Sequence, residues 1–414
     1  MTIKCNNEMY LNLTTKQLEK IKTLSEEGKV SFELFNFDII TTFLYNCFTF
    51  PNYVSEYDAR DIISKSIYKI AKEEISQQKL IEEIESQLNQ FLSRPIQRYA
   101  LVALISLSKF QNLNNIYLDN CRLIFENYLS LRFNNQDRKK LLSDAARSTP
   151  AEIPDDYSFV RVFVSSRSVF DAANKALENL DIIRGIWNYI INRSFSYRKS
   201  FIGKPDPINK IILGPIHTLH DLEGNLACDK WWYEPNYFGQ IKTYNPSKNE
   251  LNKLKKSEKF VRMRLKNLNY RDEIESAFIR YSKALDERDI TSAFLKLWGV
   301  LEALTSTTKG TNYEVTAKRV ASLYQERDFH YHKLNILKEY RNSYVHSGEE
   351  PNEQETYLIQ LKNYVESLFQ FHLTNKLNFS SIQRAAEFFD ITANKKELNY
   401  KIRLLNNAKK FRNY

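Results

Sequence analysis

Apolar residues recur at helical spacing along much of this chain. Leu18, Ile21 and Leu24 stand about one turn apart, and 34–45 is a dense apolar run. Ile63, Ile67 and Ile70 mark a further helix, and Ile81, Ile84, Leu88 and Phe91 another. Arg94-Pro95 interrupts this periodicity, because proline disfavours helix at the residue before it. Residues 101–110 are apolar enough to predict a buried helix. Residues 1–150 are therefore expected to be an all-helical N-terminal domain, working in interaction or sensing.

The pattern changes at Thr149-Pro150-Ala151-Glu152-Ile153-Pro154-Asp155-Asp156, where two prolines and an acidic pair signal a boundary. Residues 159–164 are β-branched and aromatic and predict a strand. Ser168 and Asp171 resemble a capping box ahead of a helix with Ala172, Ala176, Leu180, Ile183 and Trp187 on its apolar stripe. A second strand is predicted at 210–213, so 155–250 reads as a small α+β domain. From Asp272 the helical period returns. It predicts helices through Ile274, Phe278, Tyr281 and Leu285; then, behind Asp289 as N-cap, Ile290 to Leu304; then Val320, Leu323 and Tyr324; then Leu334, Leu337, Tyr340 and Arg341; and finally 353–371. Short loops between amphipathic helices imply a bundle over 251–375, followed by a basic tail, 376–414, of two short helices. The fold class expected is mainly α.

Charge sharpens the picture. The 414 residues carry 60 basic and 50 acidic side chains, a formal +10, which favours anionic partners. The excess is concentrated in 248–271, where Lys255, Lys256, Lys259, Arg262 and Arg264 are candidate RNA contacts. Trp231, Trp232, Tyr233, Tyr237 and Phe238 offer either base stacking or a hydrophobic contact with the helical part, the latter being the expectation. The cysteines Cys5, Cys47, Cys121 and Cys228 are isolated, which suits a reducing compartment. His217, His220 and Cys228 hold zinc-type donors, but their spacing fits no strong zinc pattern and no fourth ligand is evident; turn or interface histidines are expected. No apolar signal core and no run near the ~20 apolar residues of a bilayer span occur, so a soluble cytoplasmic protein without membrane contact is expected.

The candidate chemistry lies in Arg341-Asn342-Ser343-Tyr344-Val345-His346. Arginine offers a permanently charged fork of donors suited to phosphate oxygens. Histidine titrates near neutrality and can give or take a proton. Residues five apart on a regular helix point about 140° apart, so convergence needs either a helix end near Gly348 or a second protomer.

Arg341, four intervening residues and His346 resemble the R-x(4–6)-H motif of HEPN domains, and the run Tyr340 through Gly348 is similar to the Apea-like branch. Trp298, Glu302 and Leu304 resemble that branch's W-x(3)-E-x-L segment, and Lys318-Arg319 its basic pair; the likeness covers roughly residues 272–375. The resemblance implies a helical bundle that dimerises so that two motifs share one cleft. It also implies RNA cleavage without metal or cofactor, leaving 2′,3′-cyclic phosphate and 5′-OH ends. On this reading His346 is the general acid or base, Arg341 stabilises phosphate charge, Asn342 orients them, and Glu302 and Arg319 lend support. The expected role is an antiviral-defence or toxin-type effector acting on transfer or messenger RNA and released by a defence-system or phage-derived trigger. The other reading is a non-catalytic RNA-binding or signalling adaptor with a structural HEPN domain.

Overall fold

The computed structural model describes residues 3–27, 29–51, 53–109, 113–149, 153–193, 206–235, 237, 243–305, 313–347 and 353–413, those at 34, 35 and 344–347 by backbone only. Among these the chain is mainly helical, with one six-stranded sheet and two short strand pairs. No helix among them is long and apolar enough to cross a membrane.

The first unit contains β1 (Lys4–Cys5), α1 (Glu8–Ile21), β2 (Lys22–Leu24), β3 (Val30–Phe32), α2 (Leu34–Cys47), β4 (Phe48–Thr49), α3 (Glu56–Ile70) and α4 (Gln77–Ser93). Asn7, Ser55 and Ser76 cap α1, α3 and α4, each side chain accepting a backbone N–H of the first turn. The periodic residues Leu18, Ile63, Ile67, Ile84 and Leu88 meet in one core. Leu24, expected on the first helix, instead lies on β2, which pairs with β3.

The all-helical expectation for 1–150 fails after Arg94. The chain forms β5 (Gln97–Ser108), β6 (Ile116–Leu118) and β7 (Cys121–Glu126), then α5 (Gln136–Ser148), β8 (Tyr157–Ser166), α6 (Val169–Asn192), β9 (Ile216–His220) and β10 (Leu226–Tyr233). The sheet order is β10-β9-β5-β8-β7-β6, antiparallel throughout. β5, read in part as a buried helix, is central. It pairs with β8 from Gln97↔Ser166 to Ser108↔Tyr157 and with β9 on its other side. Leu101, Ala103 and Ile105 join the core beneath α6, while Ala100 and Val102 pack with Leu129 and Phe133. With both faces covered, β5 shows no polar alternation, and such a run cannot be told from a buried helix by period. The boundary expected at 149–156 therefore falls inside a folded unit, since β7 and β8 pair across it from Arg122↔Phe163 to Glu126↔Phe159.

Two details of 155–250 also differ. Residues 210–213 form an irregular segment rather than a strand: Leu213 bridges Ile105, and Ile212 donates to the Ser106 hydroxyl while its carbonyl accepts the Ser106 N–H. Ser168 caps α6 as expected, but Asp171 completes no reciprocal box; its carboxylate takes the Ser166 hydroxyl and Lys175.

The remaining helices are α7 (Lys248–Lys266), α8 (Arg271–Leu285), α9 (Ile290–Thr305), α10 (Tyr313–Ala321), α11 (Arg327–Ser347), α12 (Gln354–Thr374), α13 (Ile382–Phe389) and α14 (Lys395–Phe411). Asp289 accepts the Ser292 N–H at 2.7 Å, as its N-cap role requires. Phe278, Tyr281, Phe294, Leu301, Val365 and Phe369 fill this core, with the Phe278 and Phe369 rings stacked at 4.1 Å.

α6 belongs to both larger cores. Ala172, Ala176, Leu180, Ile183 and Trp187 pack on the sheet, as their stripe predicts, while Ile182, Ile186 and Tyr189 enter the helical core. α6 and α8 approach so closely at Gly185 that a Cβ there would stand 2.5 Å from the Phe278 carbonyl oxygen. Beside this crossing Arg184, 1% exposed, holds Asp181 at 2.6 Å, Asp286 at 2.9 Å and the Ile211 carbonyl at 3.1 Å.

Candidate nucleic-acid site

α11 sets the position of Arg341. Leu334, Leu337 and Tyr340 form its buried stripe, and Tyr340 packs edge-on against Phe294 at 4.8 Å. Arg341 follows at the margin of that stripe and is half-buried. Its guanidinium lies over the Tyr313 ring, with Cζ 4.3 Å from the centroid, and Nη1 donates to Asn342 Oδ1 at 3.3 Å. A guanidinium held over a ring by its charge can still give its N–H donors to other acceptors.

α9 adds a carboxylate. Trp298 and Glu302, four residues apart, share one side of the helix, and the indole N–H donates to Glu302 Oε1 at 3.0 Å. Trp298 also meets Tyr313 edge to face at 6.3 Å. Burial raises the Glu302 pKa above the ordinary glutamate value, opposed by the Trp298 hydrogen bond and the Arg341 charge. Among the described residues Arg341 has no carboxylate within 4.0 Å, so Glu302 acts on it through space.

His346 falls in the last turn of α11, and its side chain lies outside the described residues. Gly348, expected to end the helix, lies outside them too. The helix runs through Ser347, so the backbone positions of Arg341 and His346 differ by about 140° around its axis.

Arg319, grouped with these residues in the sequence, is committed elsewhere. It is 5% exposed; Nε and Nη2 donate to Asp390 at 2.8 and 2.7 Å, and Nη1 to the Thr305 carbonyl at 2.7 Å. It ties α10 to the end of α13. Asp390 is 71 residues away, so local spacing held no sign of the pair.

The basic segment 248–266 is the helix α7, started by a capping box between Ser247 and Glu250. Lys256 and Lys259 are exposed; Lys255, Arg262 and Arg264 are half-buried. At 100° per residue, Lys248, Lys255, Lys256, Lys259, Arg262 and Lys266 fall within about 120° of the helix circumference. Leu251, Leu254, Val261 and Leu265 lie on the adjoining buried side. Arg262 is bound by Glu258 and reaches the Tyr117 carbonyl at 3.4 Å, whereas Arg264 lies over the Phe260 ring at 5.2 Å, away from the stripe.

His217 and His220 do not converge. β9 alternation directs them to opposite faces of the sheet. His220 is held by Thr218 Oγ1 at 2.9 Å and the Gly224 carbonyl at 3.0 Å, and burial lowers its pKa to about 4. His217 faces Glu234 at 3.7 Å. Cys228 is half-buried on β10, and burial raises its pKa. Of the nearby aromatic residues, Trp232 packs on Phe170 of α6, whereas Tyr237 packs with Leu104 and Tyr157 of the sheet rather than on the helical part; Phe238 lies outside the described residues.

The residue missed in the sequence is Tyr313, which carries the Arg341 guanidinium and touches Trp298. The spacing of Trp298 and Glu302 signalled their pairing; no local pattern connects either to Tyr313. No protein-family model matches the chain, and neither a curated protein nor a solved structure matches it.

Proposed function

We propose that this chain is a metal-independent endoribonuclease whose working residues are Arg341 and His346, with Asn342 as orienting partner. The observation that carries the proposal is the setting of Arg341. Its charge is half-exposed and lies on Tyr313, and the neighbouring carboxylate of Glu302 is occupied by Trp298 instead of closing an ion pair. Such a cation retains donors for a phosphate.

In the reaction the ribose 2′-OH gives its proton to a base and attacks the adjacent phosphorus. The bond from phosphorus to O5′ breaks, and O5′ takes a proton from an acid. The products are a 2′,3′-cyclic phosphate and a 5′-OH, with no oxidant or water consumed. His346 serves as one of the proton carriers, and Arg341 stabilises the charge that grows on the non-bridging oxygens. Because the two residues diverge on one regular helix, the reading includes a cleft completed by a second protomer. The exposed lysines of α7 provide a sequence-independent contact to the RNA backbone. The N-terminal unit, residues 3–93, then serves as the gate of a defence or toxin-type effector in the cytoplasm.

The test is cleavage of total RNA by purified protein in the presence of a chelator, with new 5′-OH ends mapped. Arg341→Ala and His346→Ala are expected each to lower cleavage at least ~100-fold. Undiminished cutting by both variants removes the assigned site. Salt-sensitive RNA binding with no cleavage by the wild type favours the adaptor reading, which the basic face of α7 fits equally.

A further inference from the structure

The basic stripe of α7 ends in a notch. Where Lys266 closes the helix, a cavity of about 170 Å³ opens between α7, α6, the start of α8 and the β6–β7 turn. That is the room of about six water molecules, enough for one planar base. Leu118, Ile182 and Leu265 supply its apolar lining.

The polar lining sets cations beside an available carboxylate. Arg271 stands between two acids, donating Nη1 to Asp119 Oδ2 and Nε to Glu275 Oε1, each at 2.6 Å. The Glu275 side chain is 15% exposed, and burial raises its pKa against the pull of Arg271. The Asp119 side chain is 66% exposed, and among the described residues only its Oδ2 is engaged. A carboxylate has about four acceptor positions, so Asp119 keeps capacity for a ligand's donors. Lys266 is exposed on the same cavity, and Arg262 is turned to the Tyr117 carbonyl. Tyr117 is 62% exposed at the edge of the sheet, with the exposed Arg122 guanidinium 5.4 Å from its ring centroid. Cations therefore approach the notch from both sides, Lys256 and Lys259 along α7 and Arg122 from β7.

We propose that the notch holds one guanine base of a single-stranded RNA whose backbone runs along α7. Guanine carries an acceptor at O6 and donors at N1 and N2 side by side on its Watson–Crick edge. That order fits a cation beside a carboxylate: Lys266 meets O6, and Asp119 accepts the two N–H groups. Adenine, cytosine and uracil do not place two donor groups next to each other on this edge. Lys256, Lys259 and Arg122 hold the flanking phosphates, and the Tyr117 ring gives the neighbouring base a face to stack on. The inference rests on the reading of α7 as an RNA contact and uses neither Arg341 nor His346.

The experiment measures fluorescence anisotropy of the full-length chain with short 2′-O-methylated uridine oligomers carrying G, A, C or U at the centre. These lack the attacking 2′-OH, so binding is read without cleavage. The G oligomer is expected to bind about tenfold tighter than the other three. Asp119→Asn is expected to erase that preference while changing affinity for the all-U oligomer less than about twofold. Lys259→Glu is expected to weaken all four alike and to reduce the salt dependence of binding. Equal affinities for the four, a G preference that survives Asp119→Asn, or no binding to any of them overturns the proposal. Cleavage of total RNA by a chain with no G preference removes the notch and leaves the ribonuclease reading standing. G-selective binding by a chain that cuts no RNA does the reverse.

Discussion

Arg184 and Arg341 both project from long helices, yet their surroundings differ in kind. Arg184 is 1% exposed and its donors reach Asp181, Asp286 and the Ile211 carbonyl. Burial works against its charge, and the two carboxylates more than offset that, raising its pKa. Arg341 is half-buried, lies on a ring and gives a hydrogen bond to the neighbouring amide of Asn342. One cation is saturated by the fold. The other retains capacity for a ligand, and this difference separates a structural arginine from a candidate working one.

Substitution tests that contrast most directly. Arg184→Leu leaves Asp181 and Asp286 without their cation and is expected to lower unfolding free energy by about 3–5 kcal/mol in urea titrations. Arg341→Leu is expected to change it by less than about 1 kcal/mol while abolishing cleavage. A large stability loss at Arg341 would erase the distinction. Acid probes the buried groups next. Burial lowers the pKa of both His220 and His372 from the usual 6.5 to about 4. The unfolded chain then binds more protons than the fold between those values, so stability is full above pH 6.5 and falls as pH drops towards 4. Urea titrations at pH 7 and 5 should differ by about 2 kcal/mol for each histidine, and His372→Gln should remove its share. At the α6–α8 crossing, Gly185→Ala drives a methyl into the Phe278 carbonyl and should cost about 1–3 kcal/mol. The smallest effect belongs to the site. Burial disfavours the Glu302 charge, so Glu302→Gln should raise stability at pH 7 slightly, within ~1 kcal/mol, while the indole hydrogen bond is kept. A clear loss would show that Glu302 supports Arg341 more strongly than its distance suggests.

Helices with one wet face were legible in the sequence at α3, α4, α8, α9, α11 and α12, because burial on one side imposes a period; Leu323 and Tyr324, expected on the helix with Val320, lie beyond the end of α10. β5 was not, because β8 and β9 flank it and both its faces are covered, leaving nothing to alternate. The sheet joins residues from 97 to 233, and no local pattern reports such pairings. At the site, the support expected of Glu302 takes no ion-pair form: its carboxylate accepts the Trp298 indole N–H, and the Arg341 charge acts on it only through space. The capture of Arg319 by Asp390 and the placing of Tyr313 beneath Arg341 are long-range results of helix packing.

The double duty of α6 has a consequence for how this molecule comes apart. Sheet and helical core each lose a wall if α6 unwinds, so they form one foldon and should melt together in a single calorimetric transition. Residues 3–93 have a core of their own and meet α6 through α3, where the Tyr57 ring stacks on Phe170 at 4.1 Å. That smaller contact makes the N-terminal unit the segment that detaches first. Amide exchange should open α1 to α4 ahead of every strand from β5 onward.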